Sequence, residues 1–201
     1  MPNQLDLLVF RTGRTAWEDA GRIVGSSDLP VSDRSLGVVQ NNLARLAALR
    51  LSLVLSGPDE ASTTTATLVE QALGGKRRVL PELREMSLGL WEGLTPTELG
   101  DKLPRCYRAW REDPGCLCPP EGETLNDVRD RLLGCLHRVL GRTRAGVVGI
   151  VLRPIAYTLV TDALHGVETT ALESTRGDWI RIQVPRNLLK PRGMVSTRRS
   201  A

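Results

Sequence analysis

The residues best suited to chemistry near the N-terminus are Arg11, Thr12, Gly13, Arg14 and Thr15. They follow the apolar run LLVF and place two guanidinium groups, two hydroxyls and a glycine close together. Guanidinium groups bind phosphate through charge-assisted hydrogen bonds, and glycine lets the backbone approach an anion closely. The cluster therefore predicts an anion-binding site, with Thr12 where phosphate-transfer chemistry requires a nucleophile.

Two other segments occupy the same kind of position along the chain. Ser56-Gly57-Pro58 follows the apolar run LSLVL, and Arg153-Pro154 follows VVGIVL and opens a helical pattern. Ligands of open α/β sheets bind beyond the carboxyl ends of the strands, and a helix N-terminus there also favours an anion. We therefore expect the three segments to form one rim. The residues expected to bind phosphate on it are Arg11, Gly13, Arg14 and Arg153.

The elements that must position these residues follow from the hydrophobic pattern. Apolar runs predict buried strands over 5–10, 51–55 and 147–152, and alternation predicts a last strand over 178–184. Helical spacing predicts helices over 33–49, 59–73, 124–140 and 154–164. Strands that alternate with helices predict a three-layer α/β/α fold with a mainly parallel central sheet.

Composition and charge are typical of one globular domain. The chain has 201 residues, 41% of them hydrophobic, and a formal net charge of +4. Its last 16 residues contain five of the 27 basic residues and no acid, which leaves 22 basic against 23 acidic residues elsewhere. We predict a domain over 1–185 and a basic, disordered tail over 186–201. Because the rest is near neutral, the charge does not indicate a folded nucleic-acid-binding face.

Several classes of protein and site are disfavoured by the sequence. No apolar run reaches the about 20 residues that span a bilayer, and the N-terminus lacks the basic segment of a signal peptide. We therefore expect a cytoplasmic protein without a membrane partner. Cys106, Cys116, Cys118 and Cys135 do not form paired CxxC motifs. They predict reduced structural thiols rather than a metal site, and no cofactor is indicated.

Five segments, taken in chain order, resemble one known family. LLVFRTGRTAWEDAGRIVGSSDLPVSDRSLG is similar to an opening with a strand, Arg-His-Gly and a Pro-Leu-(Ser/Thr) element. SGPDEASTTTATLVEQALG is similar to a Ser-Pro-Leu-x-Arg-Ala-x-x-Thr-Ala helix, and LREMSLGLWEGLTPTEL to Leu-x-Glu-x-x-x-Gly-x-Trp-Glu-Gly. PPEGETLNDVRDRL is similar to a Pro-Gly-Gly-Glu-Ser segment, and VVGIVLRPIAYTLV stands where a strand precedes Ser-His-Gly. The family is the histidine phosphatase superfamily, the phosphoglycerate mutase-like proteins, and the resemblance implies their fold over 5–185.

The resemblance also implies roles for individual residues, and three catalytic positions carry a different residue. Thr12 stands where the family has the histidine that attacks phosphorus, and Ala61 where it has an arginine that holds the phosphoryl group. Arg153 stands where a second histidine contacts the phosphoryl oxygens. Arg11 resembles the first phosphate-binding arginine, and Glu85 resembles the proton donor.

Thr12 is poorly suited to replace the histidine. An alcohol needs an adjacent base to take its proton, and the neighbouring arginines cannot accept one. His165 lies twelve residues after Arg153, about 18 Å along a helix, and His137 borders the apolar stripe of its own helix. Because loss of a nucleophile costs on the order of 10⁶ in rate in a serine protease, we expect negligible turnover of phosphomonoesters.

Three functions stay open on the sequence. The first is a catalytically inactive protein, a pseudophosphatase, that binds a phosphorylated small molecule, another anion or a protein partner. The second is a phosphomonoesterase or phosphoglycerate mutase-like enzyme with residual or altered activity. The third is a binder of an acidic partner or nucleic acid through the basic tail. The three replaced positions favour the first, and the sequence leaves a homo-oligomer open.

The partner of Arg153 has two alternatives on the sequence. Its side chain is either available to an anion together with Arg11 and Arg14, or it is paired with Glu85 in an internal salt bridge.

Overall fold

The computed structural model describes residues 4–112, 118–143, 146–166 and 178–186. Within them, the central sheet has the strand order β3-β2-β4-β1-β5. Its strands are β1 (Gln4–Arg11), β2 (Leu51–Ser56), β3 (Lys76–Val79), β4 (Val147–Leu152) and β5 (Trp179–Pro185). Neighbouring strands are parallel except for β1 and β5, which pair antiparallel. The predicted mainly parallel sheet is confirmed.

Helices cover both faces of the sheet. They are α1 (Ala16–Asp19), α2 (Asp33–Ala44), α3 (Glu60–Leu73), α4 (Pro96–Lys102), α5 (Pro104–Glu112), α6 (Leu125–Leu140) and α7 (Pro154–His165). One buried cluster joins Leu8 and Phe10 of β1 to α2 and α3, and the other joins Leu7 and Val9 to α6 and α7. Successive β1 side chains therefore fill two cores, and the predicted three-layer α/β/α arrangement is confirmed.

The predicted helices differ from the observed ones mainly at their ends. The α6 stripe is buried as expected from its spacing, at Leu125, Val128, Leu132, Leu136 and Val139. Helix α2 ends at Ala44 rather than 49, because the chain continues in three-residue turns that still bury Leu46. The pattern did not predict β3, since its sequence KRRV is exposed along an edge strand and carries no apolar face.

The C-terminal segment is described only as far as Arg186, whose Nη1 donates to the carbonyl oxygen of Thr143 at 2.7 Å. The predicted tail beyond it, and Cys116, lie outside the described residues. Cys106, Cys118 and Cys135 are free thiols, and Cys135 is buried in the α6 core as expected. Across the described ranges, no helix is long and apolar enough to cross a membrane.

Candidate functional site

The three segments expected at one edge of the sheet do meet there. Strands β2, β4 and β1 are neighbours, with Ser56 paired to Val151 and Arg11 paired to Leu152. The backbone N–H of Thr12 then donates to the carbonyl oxygen of Leu152 at 2.9 Å. The strand ends therefore bring the predicted site residues to one side of the molecule.

Among the described residues, the side chains predicted for the site line two different larger cavities at this edge. The first, which we call the Glu85 pocket, has a volume of about 230 Å³ and is lined by Asp28, Asp59, Arg84, Glu85 and Arg153, among others. The second, the arginine cleft, has a volume of about 420 Å³ and is lined by Arg11, Thr12, Gly13, Arg14 and Arg34, among others. Arg153 is thus separated from the other three residues expected to bind phosphate with it.

Local ion pairs explain this separation. Arg153 is the N-cap residue of α7, and its Nη1 lies 3.5 Å from Oδ1 of Asp59 at the start of α3. Arg14 turns the other way, and its Nε lies 2.8 Å from Oδ1 of Asp19 in α1. Each guanidinium therefore lies beside a different carboxylate. The order of residues along the chain does not predict these pairings.

Thr12 is a buried residue without a base. Its side chain is 5% exposed, and its Oγ1 is a buried atom with no hydrogen-bond partner. An activated hydroxyl nucleophile requires a base within hydrogen-bond reach. Among the residues that the structure describes, none occupies that place for Thr12.

The backbone after Thr12, expected to cradle an anion, donates instead to protein hydroxyls. The N–H of Gly13 donates to Thr65 Oγ1 at 3.1 Å, and the N–H of Arg14 donates to Ser35 Oγ at 2.7 Å. A Cβ on Gly13 would lie 2.5 Å from Cγ1 of Val31, so only glycine fits this close approach. These contacts hold the loop against α2 and α3.

Arg153 is paired with Asp59, a residue that the sequence analysis missed. The Arg153 side chain is 1% exposed, and Asp59 Oδ1 also accepts from the backbone N–H of Ser62 as the cap of α3. The internal ion pair of Arg153 is thus with Asp59 rather than with Glu85, although the Arg153 charge is close enough to lower the pKa of Glu85. The only sequence signal for Asp59 was its position as a helix N-cap.

Glu85 caps the start of α7. Its Oε2 accepts from Ile155 N at 2.8 Å, and its Oε1 accepts from Ala156 N at 3.0 Å and from Met86 N at 2.8 Å. Burial raises the pKa of the Glu85 carboxyl to about 7, although the nearby Arg153 charge and the three N–H donors act to lower it. The group can therefore carry a proton near neutral pH.

The Glu85 pocket is lined by charges of both signs. Ala61 is fully buried in the first turn of α3 and contributes no guanidinium. Arg84 pairs with Glu123 at 2.7 Å, and Arg153 pairs with Asp59. With Asp28, Asp59 and Glu85 also on its lining, the pocket presents three acids and two arginines that are already paired.

The described residues contain no group of three or more His, Cys, Asp or Glu side chains arranged to hold a metal ion. The sequence expectation of no metal and no cofactor is not tested further by the structure.

Residues 7–184 match the sequence profile of the Histidine phosphatase superfamily (branch 1). The chain belongs to this family, and its fold and the order of its motifs agree with the resemblance seen in the sequence.

Two curated proteins are similar to the chain over most of its length. Phosphoserine phosphatase 1 of Hydrogenobacter thermophilus is 28% identical over 164 residues, which cover 81% of this chain and 77% of that protein. A Mycobacterium tuberculosis protein named as bifunctional is 31% identical over 137 residues. The match covers 67% of this chain but 37% of that protein, so the chain spans little more than a third of its length.

The structure of mycobacterial glucosyl-3-phosphoglycerate phosphatase in complex with VO₃ superimposes with a TM-score of 0.78. The match covers 88% of this chain and 92% of that one at 23% identity, which supports the shared fold.

Proposed function

We propose that this chain is a pseudophosphatase, a member of the histidine phosphatase superfamily that binds a ligand or a protein partner without hydrolysing a phosphate ester. The observation that carries the proposal is the environment of the Thr12 hydroxyl. Its hydroxyl stands where the family has the attacking histidine, is buried, and has no base beside it. An alcohol in that state is not a nucleophile at neutral pH.

The other two replaced positions support the same conclusion. Ala61 leaves no positive charge to hold the phosphoryl group, and Arg153 is committed to Asp59. Loss of a nucleophile alone costs on the order of 10⁶ in rate in a well-studied protease. Two further losses at the same edge of the sheet leave Glu85 as a proton donor with no covalent intermediate to serve.

The test is hydrolysis of p-nitrophenyl phosphate and O-phosphoserine by the full chain, with a search for acid-labile phosphohistidine. We expect rates equal to those of buffer and no phosphoprotein. Turnover by the wild type that is abolished in Thr12→Ala would overturn the proposal and identify Thr12 as a nucleophile.

A set of reversions makes the test sharper. Thr12→His alone should recover little, because the phosphoryl-binding arginine is still missing and Arg153 still pairs with Asp59. The combination of Thr12→His, Ala61→Arg, Arg153→His and Asp59→Leu restores the family residues at this edge of the sheet, since Asp59 stands where the resembling segment has leucine. We expect measurable hydrolysis only in this combination, with circular dichroism confirming that each variant is folded.

A second function, an enzyme with residual or altered activity, has one specific observation in its favour. Glu85 is held at the head of α7 with a pKa raised to about 7, which suits a proton donor near neutral pH. Curated relatives are also named as phosphatases. If this function holds, the wild type will hydrolyse a phosphomonoester and Glu85→Gln will slow it; under the pseudophosphatase proposal, both proteins have the same buffer-level rate.

A further inference from the structure

We infer that the outer edge of strand β3 binds an acidic, extended segment of a partner protein, which joins the sheet as a further strand. Strand β3 ends the sheet order on one side, and within the described ranges β2 is its only strand neighbour. All four of its residues, Lys76, Arg77, Arg78 and Val79, are exposed. We call this strand, with its open side, the basic edge.

The backbone of the basic edge has hydrogen-bonding groups that β2 does not use. Just after the strand, the N–H of Leu80 donates to the carbonyl oxygen of Ser56 in β2 at 2.9 Å. Because the direction of the backbone groups alternates along a strand, Arg78 also faces β2, and the N–H and C=O groups of Arg77 and Val79 point outward. Outward groups of this kind can pair with another strand.

Two of the three basic side chains are not neutralised within the described part of the chain. Arg77 lies against α3, where its Nε is 3.6 Å from Glu70 Oε2 and its Nη1 donates to Thr67 Oγ1. Lys76 and Arg78 form no ion pair with any residue that the structure describes. Since they lie two positions apart, both project from the face of the strand opposite to Arg77.

A further base adds to the positive charge on that face. Arg138 of α6 pairs with Glu82, with Nη2 and Oε1 2.5 Å apart. The pKa of Glu82 is lowered first by the hydrogen bond from its own backbone N–H, and then by the charges of Arg138 and Arg78. Arg78 therefore lies near a carboxylate that already has a partner, and Lys76, Arg78 and Arg138 face this one acid.

Charge indicates which strand the basic edge can accept. A second copy of the chain, with its four β3 residues in antiparallel register, would place Arg77 opposite Arg78, and like charges opposite each other are destabilising. Residues 187–201 contain four basic residues and no acid, so they would be repelled as well. Basic residues on an edge strand disfavour nonspecific pairing, but they attract a strand of opposite charge.

The side-chain pattern also defines the partner segment. Carboxylates at two alternate positions would lie opposite Lys76 and Arg78. On the other face, Val79 is 43% exposed, and an apolar residue next to the acidic pair would cover it. The segment is therefore an extended stretch with Asp or Glu two residues apart and an apolar neighbour, and it binds by β-strand addition.

This inference goes beyond the proposed function, because no residue of β3 lines the Glu85 pocket or the arginine cleft. A hydrolytically active chain with an occupied basic edge would refute only the pseudophosphatase proposal. An inactive chain that binds no acidic segment would refute only the present one.

Binding is tested by calorimetry of the full chain with the peptide acetyl-TVETEVT-amide, whose sequence reads the same in both directions. We expect acetyl-TVQTQVT-amide, which has the same length, to bind about tenfold more weakly because two charge pairs are lost. Added chloride should weaken binding of the acidic peptide. By NMR, the amide protons of Arg77 and Val79 should exchange more slowly with the peptide bound, whereas that of Leu80, which already donates to Ser56, should change little.

Three variants of the chain locate the site. Arg78→Glu should weaken peptide binding by about tenfold or more, since it replaces an attraction by a repulsion. Arg108→Glu reverses an exposed charge on α5 and should leave binding unchanged. Val79→Pro removes an outward N–H and no hydrogen bond to β2, so it should also weaken binding while circular dichroism shows a folded chain.

Equal affinity for the two peptides, equal losses in Arg78→Glu and Arg108→Glu, or no binding at millimolar peptide would overturn the inference. A dimer of the free chain that the peptide dissociates would assign the basic edge to a second copy instead. Tighter binding of an oligothymidylate of equal charge, lost in Arg78→Glu, would assign it to nucleic acid. Either result would also overturn the inference.

Discussion

Arg153 and Asp59 form a buried ion pair between the N-terminal caps of two helices, with Nη1 and Oδ1 3.5 Å apart. Asp59 stands where the resembling family segment has a leucine, and Arg153 stands where the family has a histidine. A buried arginine without a countercharge would lower the free energy of unfolding. An aspartate without a countercharge would repel Asp28 and Glu85, which line the same pocket. The two charges therefore stabilise each other at the wall of the Glu85 pocket.

Removing one member of this pair should destabilise the protein strongly. We expect Asp59→Asn to lower the free energy of unfolding by about 3 kcal/mol, because it leaves the Arg153 guanidinium buried without its countercharge. Chemical denaturation measures the change. The double variant Asp59→Leu with Arg153→Met should lose less than Asp59→Asn, since hydrophobic residues of similar volume often replace a buried pair without loss.

The pair of Arg14 and Asp19 is a matched control for this prediction. Its atoms are closer, at 2.8 Å, but half of the Arg14 side chain is exposed to solvent. Exposed pairs contribute little, so Arg14→Gln should change stability far less than Asp59→Asn. Equal effects of the two variants would show that burial is not what makes the Asp59 pair matter.

Glu85 should make stability depend on pH near neutrality. Its pKa is raised to about 7 in the folded protein from an ordinary value of 4.5, so between these values the folded state binds more protons than the unfolded state. Its contribution to stability is therefore fully present below about pH 4.5 and is lost as the pH rises towards 7. We expect the unfolding free energy of wild type relative to Glu85→Gln to fall by up to about 3 kcal/mol over this range.

The measurement is urea denaturation of both proteins at several pH values from 4.5 to 8. Subtracting the Glu85→Gln curve removes the contribution of every other titrating group. A difference that stays flat, or that rises with pH, would contradict the raised pKa and indicate that the helix N–H donors outweigh burial.

The sequence predicted which segments reach the edge of the sheet but not which side chains pair there. Strand runs and helix starts placed Thr12, Ser56 and Arg153 correctly, because those patterns are local. The contacts that divide the edge into two cavities join distant residues: Arg153 with Asp59, and Gly13 with Thr65. Such contacts depend on the direction in which each side chain points. The periodicity of the sequence does not specify that direction.

The charged edge strand β3 shows a second limit of sequence patterns. KRRV has no apolar face, and only its parallel pairing with β2 makes it a strand. Helix α4 was not predicted either, although Thr95 and Glu98 form a capping box at its start, with Pro96 in the first turn.

Gly13 should tolerate no side chain, unlike a glycine on the surface of α2. Gly13→Ala places a Cβ 2.5 Å from Val31 Cγ1, and we expect a loss of about 1–3 kcal/mol in unfolding free energy from overpacking. Gly37→Ala, where nothing lies within 4 Å, should instead stabilise the helix by about 0.5–1 kcal/mol. Thermal unfolding of both variants is the measurement, and Val31→Ala should restore much of the loss in Gly13→Ala.

The Thr12 hydroxyl is predicted to be unnecessary for folding, although Thr12 stands at the nucleophile position. Because Oγ1 is buried and unpaired, replacing it with a methyl group removes an unsatisfied polar atom at almost constant volume. We therefore expect Thr12→Val to keep or raise the free energy of unfolding by up to about 1 kcal/mol. Denaturant titration measures this change.

Thr65→Val is the matched control, because the substitution is the same but the hydroxyl is in use. Thr65 Oγ1 accepts the backbone N–H of Gly13 at 3.1 Å, so its loss leaves that buried N–H unpaired. We expect Thr65→Val to cost about 1–3 kcal/mol. If Thr12→Val costs as much as Thr65→Val, the Thr12 hydroxyl has a structural partner in the folded protein.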